Sequence, residues 1–139
     1  MMKIKTVTAI YAILIGASII GMWTMLYVTG SIPEFNTEPI RIGMHIIAEI
    51  TTGIILIFGA YGLLNNKKWG YNIYLISMGM LIYTLIVSPG YYAEKGNYFF
   101  VGMFAIILFF TIMFVVTSLI KNGEFKLNKS IKSKKKFIK

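Results

Sequence analysis

Four long apolar runs, at residues 6–30, 39–64, 70–89 and 98–120, alternate with short polar connections and decide what this chain can become. At about 1.5 Å of helical rise per residue, roughly 20 residues cross a hydrocarbon core of about 30 Å, so each run can span, the third near the short limit. Backbone crossing lipid must satisfy its own amides and carbonyls, which within one segment only a helix does. The expected architecture is therefore all-α and membrane-embedded: an up-down-up-down bundle of four transmembrane helices. Composition agrees, since 57% of the 139 residues are hydrophobic, only 14% are charged, and the mean hydropathy is +0.72. Such a chain is too apolar for a soluble domain, and its length suits one transmembrane unit followed by a basic tail at 121–139.

The net charge of +9 is distributed as a topology signal. Lys3 and Lys5 precede the first run, Lys67 and Lys68 separate the second from the third, and eight lysines follow the fourth, within 121–139. Positive segments stay on the cytoplasmic side, which places both termini inward in the cell membrane. The opposite connections, 31–38 and 90–97, carry Glu34, Glu38 and Glu94 against Lys95. The tail would meet the headgroups of anionic lipids. Nucleic acid is a poor partner for it, because Phe125 and Phe137 make no repeated aromatic interleaving. A cleaved signal peptide is the alternative for the first run, but the run is long and no small-x-small site follows it, so it is expected to be retained.

Local chemistry marks the same boundaries. Thr37, Glu38 and Pro39 read as a helix start, with a hydroxyl cap, an acid at the positive helix end and a proline where no amide donor is needed. Asn65 and Asn66 close the second helix. Ser88, Pro89 and Gly90 are expected to end the third, since proline biases its predecessor away from helical dihedrals. Trp69, Tyr71, Tyr91, Tyr92 and Tyr98 flank the runs as interfacial aromatics do.

Inside the second run Arg41, His45 and Glu49 recur every four residues and share one helix face with Glu38, Thr52 and Gly59. Ionisable groups at such depth are costly and face the bundle interior, so this stripe is the first place to seek a site. By the same periodicity Gly16, Trp23, Tyr27 and Gly30 share a face of the first run, and Asn72, Gly79, Tyr83 and Gly90 share a face of the third. Small residues there would let backbones approach closely. The fourth run, with only Gly102, Thr111, Thr117 and Ser118 to relieve Phe, Ile and Met, is the expected outer wall. Glu49 lies about 12 Å from Arg41, Trp23 about 10 Å from Gly30 and Tyr83 about 9 Å from Pro89 along their helices. These depths predict a ligand-binding cluster of Trp23, Tyr27, His45, Glu49 and Tyr83 in the outer half, roofed by Arg41 and by Tyr91 and Tyr92.

Two readings of His45 and Glu49 stand side by side. One is an internal ion pair or hydrogen bond that fixes packing. The other is a site for a proton, cation or small polar ligand, because imidazole changes charge near neutral pH. A divalent metal would find only these two protein ligands, with Tyr or Asn to add oxygen, and no cofactor is specified. The aromatics either pack the bundle or line a pocket for a quinone or lipid headgroup. Residues 88–92 are a turn with two interfacial tyrosines or a lid. Arg41 holds an anionic headgroup or neutralises Glu38 or Glu34.

Cysteine is absent, which excludes disulfide exchange, thiolate metal sites and thiol nucleophiles. With a single histidine and no nucleophile elbow, phosphate loop or paired-histidine motif, an enzyme is disfavoured. A binding or translocation protein is the first expectation. Transport by so narrow a bundle implies a homo-oligomer or a larger membrane complex, and an accessory or scaffolding subunit is the alternative. In size and layout, and in the runs Ile32-Pro33-Glu34, Met44-His45-Ile46-Ile47-Ala48-Glu49 and Ser88-Pro89-Gly90-Tyr91-Tyr92, the chain is vaguely similar to small four-helix membrane proteins of prokaryotes, the DoxX-like group among them. That resemblance implies a layout and no activity.

Overall fold

The computed structural model describes residues 3–123. Four long helices, α1 (Ile4–Val28), α3 (Pro39–Leu64), α4 (Gly70–Glu94) and α5 (Tyr98–Ile120), are each long and apolar enough to cross a membrane, and a single turn, α2 (Glu34–Thr37), lies between the first two. The basic tail beyond residue 123 lies outside the described residues.

Three of the long helices end alike. Gly30, Asn66 and Gly96 take positive φ after α1, α3 and α4. Each time the next amide, of Ser31, Lys67 or Asn97, donates to a carbonyl five residues back, at Leu26, Gly62 or Tyr92, at 3.0, 2.9 and 2.9 Å. This Schellman closure satisfies carbonyls that the helix end would strand, and it needs a residue that tolerates the left-handed region. It also corrects the expected end of the third span. The helix runs through Ser88, Pro89 and Gly90 to Glu94, because Gly96 supplies the terminator. Proline deprives the Leu85 carbonyl of its helical donor, but ending the helix there would strand several groups instead of one.

α3 is the centre, packed on α1 and on α4, with α5 against α4 and touching α1 through Tyr11. Its buried positions Glu49, Gly53, Leu56, Ala60 and Leu63 alternate steps of four and three; α4 repeats the rhythm with Gly70, Tyr74, Ser77, Leu81, Thr84 and Ser88. That spacing keeps one seam facing a neighbour along the whole helix. Glycines set the closest approaches: a Cβ on Gly16 would stand 2.7 Å from the Gly53 carbonyl oxygen, and one on Gly70 2.4 Å from the Gly62 carbonyl carbon. Only Thr111 and Ser118 of α5 are buried, as expected of an outer wall.

The face expected to pack on α4 is the wrong one. Asn72, Gly79, Tyr83 and Gly90 are all exposed, and the buried side is the one that carries Ser77, Thr84 and Ser88. Gly79 and Gly90 have open space where a Cβ would go. Hydroxyl-bearing residues, small enough to pack and able to bond their own helix carbonyls, took the interior position assigned to the glycines.

Candidate functional site

Glu49 is 6% exposed and sits on α3 about 15 Å along the axis from Pro39. Three helices converge on its carboxylate. The Trp23 indole of α1 donates to Oε2 at 2.7 Å, and the Ser88 hydroxyl of α4 donates to Oε1 at 2.9 Å. One turn toward Pro39, His45 places Nε2 3.5 Å from Oε1, and its ring meets that of Trp23 edge-on at 5.7 Å between centroids. The side chain of His45 is 35% exposed, so the pair is open on the histidine side and closed on the glutamate side.

The charge arithmetic is the chemical content. Arg41, the one arginine, is spent elsewhere: its side chain is 82% exposed and pairs with Glu38 at 3.0 Å. Among the described residues no lysine or arginine pairs with Glu49; the basic group beside it is the His45 imidazole. A desolvated carboxylate without a paired charge is expensive. Among the described residues no group of three His, Cys, Asp or Glu is placed to hold a metal ion, which leaves a metal at His45 and Glu49 without a third such ligand.

Of the expected cluster, Trp23, His45 and Glu49 come together and the rest do not. Tyr27 is 71% exposed with its ring against Phe35, and Tyr83 is 67% exposed on the outward face of α4. Arg41 does not roof the site. Tyr92 stacks on Phe100 of α5 at 4.8 Å. Tyr91 belongs to a separate contact: its hydroxyl donates to Glu34 of α2, Lys95 donates to the Tyr91 oxygen and, at 3.2 Å, to Glu34, and the ammonium lies 4.1 Å from the ring centroid. These two bonds to Glu34 lower its pKa, that of Tyr91 most; the bond to Tyr91 does most to raise that of Lys95.

Ser88 was missed. The turn assigned to residues 88–90 hid it, although the step of four from Thr84 and seven from Leu81 was there to place it on a helical seam. A second polar cluster was missed too. Tyr11 shares a 2.7 Å hydrogen bond with Thr111, Tyr74 shares one of 3.0 Å with Ser118, and Tyr71 donates to the Ser118 carbonyl at 3.0 Å. It ties α1 and α4 to α5 at the opposite end of the bundle.

A nearly buried carboxylate that accepts from an indole of α1 and a hydroxyl of α4, with an imidazole beside it, lies among four helices apolar enough to make this a membrane protein. The chain belongs to the family of the domain of unknown function DUF8058, whose model matches residues 2–131. No curated protein and no solved structure matches the chain. The likeness to the DoxX-like group gains nothing from these comparisons.

Proposed function

We propose that this protein binds a proton or a small cation at the Glu49–His45 pair, as a binding or translocation protein whose site is entered from the outer side. The observation that carries this reading is a nearly buried carboxylate with donors from two neighbouring helices, an imidazole beside it and no lysine or arginine partner among the described residues. The neutral pair contains one proton; a cation that displaces it preserves neutrality, which couples the two. Trp23 supplies the probe, because its indole is bonded to the Glu49 carboxylate.

With Trp69 replaced by phenylalanine, Trp23 emission from the full chain in lipid nanodiscs should follow a titration in pH, shifted toward acid by added sodium, potassium or guanidinium. Glu49→Gln should flatten it while helix content is retained, and His45→Ala should move its midpoint. A titration that persists in Glu49→Gln, or variants that only unfold, would overturn the reading.

In the same proposal both termini and the tail at 121–139 face the cytoplasm, and the tail lies on anionic lipid; transport would use a homo-oligomer or a larger complex. A scaffolding role is the second reading. It is favoured by one observation: among the described residues no buried side-chain nitrogen or oxygen lacks a partner, as packing alone would require.

A further inference from the structure

Between α1 and α3 the chain does not run as a slack loop. Ile32 is 7% exposed, Phe35 meets the ring of Tyr27 edge-on, and α2 packs against α3. Glu34 at the start of α2 reaches across to α4, where Tyr91 and Lys95 both donate to it. The residue on α4 that holds Glu49 is Ser88, one turn before Tyr91. One stretch of α4 thus grips the buried carboxylate with one residue and the connecting strap with the next two turns. Pro89 lies between those grips, and its missing amide removes the helical bond to Leu85 there. The helix is weakest where it must bend if the upper grip lets go.

We propose that the strap containing α2 is the gate over the Glu49 site, held shut by the Glu34–Tyr91–Lys95 contact and opened by a swing of the α4 end about Pro89. The inference rests on the reading of Glu49 as a binding site, and it adds how that site is reached. Closed, the strap bridges α1, α3 and α4. Open, it uncovers the seam in which Trp23 and Glu49 lie. The contact suits a gate because it is made of side chains partly open to water, 19% for Glu34 and 46% for Lys95, so it breaks at small cost.

Acrylamide quenching of Trp23 in the Trp69→Phe chain tests this without requiring that anything bind at Glu49. Glu34→Gln and Tyr91→Phe should each raise the quenching constant by about twofold or more, as the open population grows. Glu38→Gln, which breaks the Arg41 pair on the same strap but touches nothing on α4, should leave it at the parent value. Since the chain has no cysteine, Glu34→Cys and Lys95→Cys can be joined by a short bifunctional maleimide, which should lower quenching below the parent. Equal quenching in the parent and in Glu34→Gln and Tyr91→Phe, or an equal rise in Glu38→Gln, overturns the gate. A failed binding reading shows separately, as a Trp23 pH titration unchanged in Glu49→Gln.

Discussion

The two ends of this bundle solve the problem of polar groups in an apolar interior in opposite ways. At the Tyr74 end every member is neutral, and the bonds run from phenols to hydroxyls and backbone carbonyls of α5. There glycine also brings α3 and α4 into backbone contact, with a Cβ on Gly59 destined to stand 2.8 Å from the Tyr74 amide nitrogen. At the Glu49 end the central group ionises, its bonds are side chain to side chain, and one partner is a histidine half open to its surroundings. Neutral hydroxyls bonded to carbonyls hold helices together whatever the proton concentration. A carboxylate without a fixed counter-ion does so only with a proton or cation in place. The first arrangement is a clamp, and in the proposed reading the second has a state to change.

If that division is right, the largest loss of stability belongs to the clamp. Gly70→Ala puts a methyl 2.4 Å from the Gly62 carbonyl carbon and 2.6 Å from the Leu63 amide nitrogen, all of it backbone that no side chain can vacate. We expect a cost of about 4 kcal/mol or more, read as loss of folded protein in thermal unfolding. Glu49→Ala comes next. It strands the Trp23 indole N–H and the Ser88 hydroxyl, at about 1–3 kcal/mol each. Glu49→Gln keeps an acceptor for the Trp23 N–H and turns an amide donor toward the Ser88 hydroxyl, which can accept it, so it should cost less than half as much while abolishing the pH response. If Gln and Ala destabilise equally, the charge has no role beyond packing and the two ends are the same kind of clamp.

The sequence carried the helices and one arm of the site because those rest on local rules. Four apolar runs dictate four helices, and four-residue spacing alone puts His45 beside Glu49. What it did not carry is rotation between helices. On α4 the glycine and aromatic pattern of Asn72, Gly79, Tyr83 and Gly90 looked like an interior face, yet Ser77, Thr84 and Ser88 were equally small and had a seven-residue rhythm to match α3. Matching rhythms across two helices is the signal that separates those faces, and a single-helix reading does not contain it. Pro89 misled for a related reason: in water it commonly ends a helix, whereas in lipid the stranded carbonyls decide.

A smaller effect is expected from the neutral end. Tyr74→Phe removes one hydrogen bond to Ser118 and leaves a fully buried ring in place, for about 1 kcal/mol. The loss should be the same from pH 5 to 8, since neither partner changes charge in that range. A Tyr74→Phe penalty that varies with pH would mean that the two ends communicate and that the clamp is part of the switch.

The smallest effect concerns the strap. Glu34 has its pKa lowered below the ordinary 4.5, chiefly by the Tyr91 hydroxyl, so its contribution is complete above the unfolded value and is lost as pH falls through the folded one. Lys95 has its pKa raised above the ordinary 10.5, again chiefly through Tyr91, so its contribution is complete below 10.5 and is lost as pH climbs past the folded value. The contact is therefore at full strength across the neutral range and weakens at both extremes. Its groups are partly open to water, so the gain in global stability is slight and thermal unfolding is a poor gauge. Local opening is the better one: hydrogen exchange at the amides of Asn36 and Glu38, which bond to the Pro33 and Glu34 carbonyls, should quicken as pH drops below 4.5 after correction for intrinsic exchange. Tyr91→Phe should quicken it at neutral pH and blunt the acid response, because the bond that most lowers Glu34 has gone. An acid response that survives Tyr91→Phe unchanged would assign the strap's stability to Ile32 and Phe35, and the two ends would then differ only in their charge.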